Sequence, residues 1–434
     1  MSILPLGAAK QRTAVDDTVA LAQEVFGPPD SWGVAMRLWD GTRVGRPNAP
    51  ATIVLRHPWT LRGMLWPPDS RTLGEAFIFG DVDVEGDLEA VLAAFWPVVD
   101  SGEWRRLRKG ARLLRLLRRL PAPPPRAGRV HAAAPIGETH SIDRDRESVR
   151  FHYDVSNDFY RLWLDRRMQY SCGYFEQPDV DLDTAQCAKL EHICRKLRLS
   201  PGDRLLDIGC GWGGLLEYAA EHYGVSGVGV TLSEPQAREA NQRLARAGLA
   251  DWAHAEVRDY REVTGKFDAI VSVGMVEHVG RSQLREYCEH AFELLRPGGV
   301  FLLHGITSKW EERPGPMDPF IASYVFPDGE LTPISELLTE AESVGFEVRD
   351  VENLREHYAT TLRHWVRNLQ ARRAEAIALT DEVTYRIWRL YMTGCAYNFE
   401  CGGLGVFQSL LHKPTGGHSG LPPTRADWYA DSVH

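Results

Sequence analysis

Short apolar runs alternate with helical patterns in the C-terminal two thirds of the chain. Five of these runs have the length and composition of buried strands: 204–208, 226–230, 253–256, 269–273 and 299–304. Regular alternation of strands and helices predicts an α/β domain with a mostly parallel sheet and helices on both faces. Ligands bind at the carboxyl ends of the strands in such a sheet, so functional side chains are expected there.

The first hundred residues have a different pattern, in which short strand-like runs alternate with Gly and Pro turns. The runs are 34–38, 51–55 and 75–79, and a helical pattern covers 86–95. This mixture predicts a small α+β domain. Another helix, rich in aromatic residues, is predicted over 381–399.

Changes in composition suggest where one domain ends and the next begins. Residues 121–129 are proline-rich and end any preceding helix, and the chain after Pro414 is rich in Gly, Pro and Ser. We therefore predict four parts: an N-terminal domain over 1–120, a linker over 121–144, the α/β domain over 145–412 and a loosely ordered tail over 413–434.

Residues 103–120 carry eight basic side chains interleaved with leucines. One interpretation is an amphipathic helix that lies in the headgroup layer of an anionic membrane with its apolar face down. Each basic residue would then gain on the order of 1 kcal/mol. The alternative is a solvated charged helix that packs its leucines on its own protein.

Composition narrows the class of protein. With 434 residues, two domains are expected, and 44% hydrophobic and 25% charged residues are typical of a soluble globular protein. No apolar run approaches the roughly 20 residues that span a bilayer, and the N-terminus lacks a signal-peptide pattern. Seven irregularly spaced cysteines indicate reduced thiols, hence a cytoplasmic protein. A net charge of −9 argues against nucleic acid as the main partner.

The strand at 204–208 runs into a turn with glycines at 209, 211, 213 and 214. Glycine allows positive φ and close approach of a ligand to the backbone, and the following helix N-terminus offers free N–H groups. The spacing differs from the G-x-G-x-x-G dinucleotide fingerprint. The D-x-G-x-G-x-G turn that begins at Asp207 resembles the first motif of class I S-adenosylmethionine-dependent methyltransferases. An ordinary tight strand-to-helix turn is the alternative.

Polar residues follow the second and third strands. Thr231, Leu232 and Ser233 come after the second, where many class I methyltransferases have an acidic residue for the ribose, and Gln236 could replace that residue. Ser233 is also a good helix N-cap. After the third strand, Asp259 could accept from the adenine amine and Tyr260 could lie against the ring. Taken alone, an aspartate at this position is more often a turn residue.

The fourth and fifth strands end at Glu277-His278 and at His304, and a segment before the sheet contains Tyr170, Ser171 and Cys172. The Glu-His pair is expected to face the reaction site, and a histidine beside glycine at a strand end is poorly explained as core filling. These residues lack the spacing of a zinc site, so no metal is predicted.

Several motifs in the same order resemble those of cyclopropane-fatty-acyl-phospholipid synthases and mycolic acid cyclopropane synthases. The similarity covers roughly 145–412 and includes 151–160, 170–172, the glycine turn, 229–236, 273–280, 301–308, 318–329, 357–365 and 391–399. The N-terminal domain resembles the lipid-handling domain of the phospholipid-modifying members.

This resemblance implies a Rossmann-like class I methyltransferase domain that uses S-adenosylmethionine and a bound bicarbonate ion. It implies a cis-unsaturated acyl chain of a membrane phospholipid as substrate, peripheral association with the inner face of the membrane, and a homodimer. The alkene would attack the sulfonium methyl, and bicarbonate would deprotonate the resulting carbocation. The implied bicarbonate holders are Cys172, Glu277, His304, Tyr358 and the backbone of Ile306. The implied cofactor residues are Tyr170, Ser171, Asp207, Gly209, Gly211, Gly213, Thr231, Leu232, Ser233, Gln236, Asp259 and Tyr260.

Cys395 matches a cysteine associated with the active site of the family. A carbocation route needs no covalent enzyme intermediate, and a cysteine inside a helix is more often a small buried apolar residue.

Three other functions remain open. The same cation could give a methylene, later a mid-chain methyl branch, as in the related fatty-acid methyltransferases. The chain could methylate a hydroxyl or amine of a small molecule, or it could be a lipid-binding protein with an inactive methyltransferase fold. The first shares the bicarbonate residues, whereas the other two leave them without a purpose.

Overall fold

The computed structural model describes residues 8–66, 69–100, 110–124, 131–133, 137–153, 155–310 and 317–429. The chain divides into two compact units. The first comprises 1–132, 318–324 and 381–397, and the second comprises 133–317, 325–380 and 398–434. Two segments that the sequence boundaries put in the catalytic domain, 318–324 and 381–397, therefore belong to the first unit.

The first unit contains a four-stranded sheet. Its strands are β1 (Ala35–Arg37), β2 (Arg43–Val44), β3 (Ala51–Leu55) and β4 (Val82–Gly86), in the order β2-β1-β3-β4. Only the β1–β3 pair among these is parallel. Its described helices are Ala8–Phe26, Thr60–Leu65, Ser70–Ile78, Leu88–Asp100, Ala111–Arg119, Pro319–Tyr324 and most of Glu382–Glu400. The small α+β domain and the helix near 381–399 agree with the sequence prediction.

The strand predicted at 75–79 is wrong, because these residues belong to the helix Ser70–Ile78 and the turn after it. A capping box begins this helix: the Asp69 carboxylate accepts from the N–H of Thr72 at 2.7 Å, and the Thr72 hydroxyl approaches the N–H of Asp69. Such a cap favours a helix over the extended form that the apolar run alone suggests.

The basic segment forms the helix Ala111–Arg119, and residues 103–109 lie outside the described part of the chain. Leu113, Leu116 and Leu117 are buried within the first unit, where the helix packs on Ala8–Phe26. The interpretation in which these leucines enter a bilayer is therefore wrong. The arginines on the opposite face remain exposed.

The second unit contains a seven-stranded sheet in the order β10-β11-β9-β8-β5-β6-β7. Its strands are β5 (Arg204–Ile208), β6 (Ser226–Thr231), β7 (Ala253–Val257), β8 (Phe267–Val273), β9 (Leu295–Thr307), β10 (Glu347–Asn353) and β11 (Gly405–His412). Strands β5 to β9 pair in parallel, and β11 lies antiparallel between β9 and β10. The five predicted strands and the fold class are confirmed, whereas β10 and β11 were not predicted.

Helices cover this sheet, and apolar side chains of the sheet and the helices form its cores. The described helices are Ile142–Tyr153, Asn157–Arg161, Leu182–Lys196, Gly214–Tyr223, Glu234–Arg246, Leu284–Leu294, Ile334–Ser343, Arg355–Ala371 and Arg373–Leu379. Short 3-10 helices follow β7 (Tyr260–Glu262) and β8 (Val276–His278). These two turns stand at the carboxyl ends of their strands, so they face the ligand edge of the sheet.

One part of the C-terminal tail packs on the core of the second unit. A 3-10 helix, Ala426–Trp428, places Trp428 in the core, where its side chain is only 4% exposed. The ammonium of Lys196 lies 5.6 Å from the centre of the indole ring, and the guanidinium of Arg198 lies 5.3 Å from it. Trp428 is thus held in the core, whereas 413–425 contains only one isolated bridge, between Thr415 and His418, among its described residues. Loose order in that part of the tail stays a prediction, and residues 430–434 lie outside the described part of the chain.

All seven cysteines are in the described part of the chain, and each is a free thiol. Among the described helices, none is long and apolar enough to cross a membrane.

Candidate active site

A pocket opens at the carboxyl ends of β5, β6 and β8 in the second unit. Ten of the twelve predicted cofactor residues line it: Tyr170, Ser171, Asp207, Gly209, Gly211, Thr231, Leu232, Gln236, Asp259 and Tyr260. The other two, Gly213 and Ser233, are not part of its lining. The sequence thus predicted most of one wall, from motifs that stand far apart in the chain.

Two glycines of the turn, Gly211 and Gly213, have different structural roles. Gly211 has φ +54° and Gly213 has φ +76°, a conformation that side chains disfavour. A Cβ atom on Gly211 would meet no atom within 4 Å, whereas one on Gly213 would stand 2.8 Å from the Cβ of Ala240. Gly211 therefore keeps space open in the pocket, and Gly213 allows two helices to pack.

The turn after β6 combines a helix cap with a pocket wall. Ser233 is fully buried and its hydroxyl accepts from the N–H of Gln236, so its role here is that of an N-cap. The Thr231 hydroxyl donates to Oε1 of Gln236 at 2.8 Å. Because this bond occupies the amide oxygen, the Gln236 amide nitrogen remains as the donor that can serve a ligand.

Asp259 is both a turn residue and part of the pocket lining. Its carboxylate accepts from the backbone N–H of Arg261 at 2.9 Å and from the Arg261 guanidinium at 2.7 and 2.8 Å. Arg261 also donates to Asp145, on the helix Ile142–Tyr153. A carboxylate has about four acceptor sites, so these bonds orient Asp259 without saturating it.

Lys189, which sequence reasoning missed, is a buried member of the pocket lining. Its ammonium donates to Oε1 of Gln169 at 2.7 Å and to the Ser171 hydroxyl at 2.9 Å. Burial lowers the pKa of Lys189 to about 8. Burial also raises the pKa of Asp207 to about 7, against the nearby charge of Lys189. No sequence motif marks this lysine, which stands in an ordinary helical pattern.

Glu277 lies in the 3-10 helix after β8, and its carboxylate is buried. Oε1 accepts from the backbone N–H of Ile306 at 2.7 Å, while Oε2 has no hydrogen-bond partner among the described residues. Burial raises the pKa of Glu277 to about 7. The Ile306 N–H, expected as a bicarbonate donor, is thus engaged with Glu277 in this structure.

His304 occupies the position on β9 that pairs with Val273 of β8. Its side chain is 2% exposed, and burial lowers the pKa of His304 to about 3, so the imidazole is neutral. Nδ1 lies 3.3 Å from Nε2 of Gln408. Nε2 of His304 is buried and, within the described ranges, unpaired.

The Cys172 thiol and the backbone N–H of Tyr358 both donate to the carbonyl oxygen of Leu354. The Cys172 thiol donates to the Leu354 carbonyl at 3.6 Å and to the Gly173 carbonyl at 3.2 Å, and the Tyr358 N–H donates to Leu354 at 3.0 Å. Burial raises the pKa of Cys172, so it remains a thiol.

A short series of backbone contacts connects this pair to Glu277. The Leu354 N–H donates to Val406, which is the cross-strand partner of Ile306. The segments that carry Cys172, Glu277, His304 and Tyr358 therefore meet near the carboxyl end of β9. None of these four residues is part of the pocket lining described above, and their gathering around one cavity stays a prediction.

Cys395 belongs to the first unit, on the helix Glu382–Glu400, whereas the other five predicted catalytic residues belong to the second. It is half-buried, and burial raises the pKa of its thiol to about 12. A thiol with this pKa is a poor nucleophile near neutral pH. The pocket also takes in His278, Met275 and Trp212, of which the sequence marked His278 through its Glu-His pair.

A parallel sheet with a glycine turn after β5 and a ligand pocket at its carboxyl edge defines the class I S-adenosylmethionine-dependent methyltransferase fold. Residues 140–409 match the mycolic acid cyclopropane synthetase family. The chain belongs to this family.

Three relatives illustrate the match. A probable fatty acid methyltransferase of Pseudomonas putida is 43% identical over 401 residues, covering 91% of this chain and 95% of the relative. Cyclopropane mycolic acid synthase 1 of Mycobacterium tuberculosis is 39% identical over 277 residues, covering 61% of this chain and 96% of the relative. The crystal structure of mycolic acid cyclopropane synthase CmaA1, complexed with SAH and CTAB, superposes with a TM-score of 0.59 at 39% identity. The superposition covers 62% of this chain and 98% of the CmaA1 chain.

Proposed function

We propose that this enzyme transfers a one-carbon unit from S-adenosylmethionine to the cis double bond of an unsaturated phospholipid acyl chain, with a cyclopropane as product. One observation carries the proposal. Oε2 of Glu277 and Nε2 of His304 are buried polar atoms without partners in the described structure, at the ends of adjacent strands. Buried unpaired polar atoms are costly, so each of these atoms is expected to gain a partner when a ligand binds.

The pocket fits the cofactor. Cβ atoms on Gly211 and Gly274, which both line it, would meet no atom within 4 Å, so the space there is free for a ligand. Asp207 would face the ammonium group, the Gln236 amide would donate to the ribose, and Asp259 would accept from the adenine amine. S-adenosylmethionine supplies an electrophilic methyl group on a sulfonium.

The reaction balances without a further reagent. The π electrons of the alkene form the new bond to the methyl carbon, and the carbon–sulfur electron pair remains on sulfur. A cation is left on the neighbouring alkene carbon, and loss of a proton from the added carbon closes the ring. Because an alkene is a poor nucleophile, positioning carries much of the rate.

The proton acceptor would be a bicarbonate ion held by the residues around Glu277. A neutral His304 would donate from Nε2 to the anion, and Oε2 of Glu277 would accept from its hydroxyl group. Tyr358 and Cys172 would complete the cavity. Cys395 has no place in this scheme.

A second product is also supported. A hydride shift before proton loss gives a methylene, and a reductant would then convert it to a methyl branch. The P. putida relative, which matches 91% of this chain, is named a probable fatty acid methyltransferase. The same residues would hold the anion in either case.

We also propose that the first unit adsorbs to anionic membranes through the exposed arginines of the helix Ala111–Arg119. Arg112, Arg115 and Arg118 are exposed, and Arg112 retains 76% of its side-chain surface. Each exposed arginine near an anionic surface gains on the order of 1 kcal/mol. The homodimer implied by the resemblance stays a prediction.

The test is transfer of label from methyl-labelled S-adenosylmethionine to vesicles of unsaturated phospholipid, followed by mass spectrometry of the acyl chains. A cyclopropane adds CH2 and resists mild hydrogenation, whereas a methylene takes up hydrogen. Vesicles of saturated phospholipid are the matched control. Transfer to saturated lipid, or to neither lipid, would overturn the proposal.

A further inference from the structure

Three polar residues stand side by side across strands β10, β11 and β9. Glu352 pairs with Gln408, and Gln408 pairs with His304. Directly paired residues of neighbouring strands point to the same face of a sheet. Gln408 is fully buried and His304 nearly so. The polar row therefore runs through the protein interior to the histidine of the candidate active site.

Gln408 contacts one of the two ring nitrogens of His304. Its amide nitrogen lies 3.3 Å from Nδ1. A neutral imidazole has one N–H and one acceptor nitrogen. When the amide donates to Nδ1, the imidazole proton must be on Nε2, which is the nitrogen that the described protein leaves unpaired.

Burial is the main reason that the His304 imidazole is neutral, and the surrounding charges add to it. Lys189 and Lys196, from the helix Leu182–Lys196, oppose a positive charge on the imidazole, and Glu352 of β10 favours it less strongly. Glu352 is already held by Lys196 at 2.6 Å and by His192 at 2.7 Å. The charge of Glu352 is therefore compensated by these two side chains. The neighbour of His304 on β11 is the neutral amide of Gln408.

We propose that Gln408 is a positioning residue that holds His304 as the Nε2–H tautomer. The imidazole then presents a donor, and not a lone pair, to an anion at the candidate site. The catalytic consequence rests on the proposed function, whereas the tautomer itself can be measured without turnover. Nothing about Gln408 stands out in the sequence, because a single glutamine in an apolar strand carries no motif.

The first test is NMR of the full chain with 15N-labelled histidine, with the His304 signals assigned from a His304→Gln sample. We expect a protonated Nε2 and an unprotonated, hydrogen-bonded Nδ1 near neutral pH in the unsubstituted protein. A proton on Nδ1 would overturn the proposal, whatever reaction the enzyme catalyses.

The second test compares turnover of two variants of similar side-chain size. Gln408→Met removes the hydrogen bond, and we expect kcat to fall about 10- to 100-fold with the Kd for S-adenosylmethionine unchanged. Gln408→Glu should lower kcat further, because a carboxylate accepts from Nδ1–H and imposes the other tautomer.

Ser409→Ala is the matched control, since Ser409 is a buried neighbour on β11 that points to the opposite face. It should leave kcat and the tautomer unchanged. If the unsubstituted protein transfers label and Gln408→Met keeps its kcat, the positioning role is overturned. If the unsubstituted protein transfers none, the proposed function fails, and the NMR result still decides the tautomer.

Discussion

The carboxylate of Glu277 is held at one oxygen and open at the other. Oε1 accepts from the backbone N–H of Ile306 at 2.7 Å, and Oε2 is buried without a partner in the described structure. The backbone bond fixes the orientation of the side chain, so the free oxygen has a defined direction. A fixed acceptor in a buried site is suited to a ligand that donates a hydrogen bond.

Replacing Glu277 by Gln should separate chemistry from cofactor binding. The amide oxygen can still accept from Ile306, but the second position now carries a donor and no longer serves an anion that donates. We expect kcat to fall by about 10²- to 10⁴-fold. The Kd for S-adenosylmethionine, measured by calorimetry, should stay within about twofold of the original. An equal loss of binding and turnover would contradict this assignment.

The pH dependence of kcat should show an acid limb near pH 7. Burial raises the pKa of Glu277 to about 7, so the carboxylate that accepts a hydrogen bond is lost as pH falls through this value. Burial lowers the pKa of His304 to about 3, so this histidine stays neutral across the range and adds no second limb to the profile.

Rates for this test are measured at saturating cofactor, because Asp207 also has a pKa raised to about 7 and should act on binding. A kcat that stays constant from about pH 5 to about pH 8 would exclude the role given to Glu277.

Two glycines of the turn should respond differently to the same change. Gly213→Ala adds a methyl group 2.8 Å from Ala240 at φ +76°, so we expect a loss of about 1–3 kcal/mol in unfolding free energy. Gly211→Ala meets no protein atom, and strain at φ +54° should cost about 1–2 kcal/mol. Its main effect should be weaker cofactor binding.

Denaturation curves and calorimetry with S-adenosylmethionine separate the two glycine effects. If Gly211→Ala bound the cofactor normally, this part of the pocket would not be occupied by it.

The parts of the fold that the sequence predicted are those with local signals. The turn from Asp207 to Gly214 could be found because glycine is required by its backbone angles, and β5 because a short apolar run ends in that turn. The strand predicted at 75–79 is wrong because the cap at Asp69 decides the helix, and a cap six residues before the apolar run begins is easily overlooked.

The residues that were missed depend on contacts between distant segments. The Lys189 ammonium is held at the pocket by hydrogen bonds to Gln169 and Ser171. A lone lysine in a helical pattern does not reveal these contacts. The position of Gln408 beside His304 follows only from the pairing of β11 with β9. The burial of Trp428 could not be predicted either, because the composition of the tail does not report the area that one indole buries.

Membrane adsorption should depend on the arginines and not on the leucines of the helix Ala111–Arg119. Replacing Arg115, Arg118 and Arg119 by Gln should weaken binding to anionic vesicles, by on the order of 1 kcal/mol for each residue at low salt. Arg119 lies 3.2 Å from Asp17, so the double variant at 115 and 118 isolates the membrane effect.

Sedimentation with anionic and neutral vesicles measures this binding. Leu116→Ala is the comparison, because a buried leucine should lower stability without changing adsorption. Unchanged binding of the arginine variants at low salt would remove the membrane role.

Trp428→Ala should destabilise the second unit, although the residue lies six positions before the last of the 434 residues. Its ring is buried and contacts the cations of Lys196 and Arg198, so we expect a loss of about 3–5 kcal/mol.

Urea denaturation followed by circular dichroism measures the change, with exposed Thr424→Ala as the control, which should stay within about 0.5 kcal/mol. Lys196 is itself buried and paired with Asp350 and Glu352, so loss of the indole also admits water to this ion pair. A loose tail would tolerate Trp428→Ala as well as Thr424→Ala, and equal stability of the two variants would show that the buried indole does not hold the tail in place.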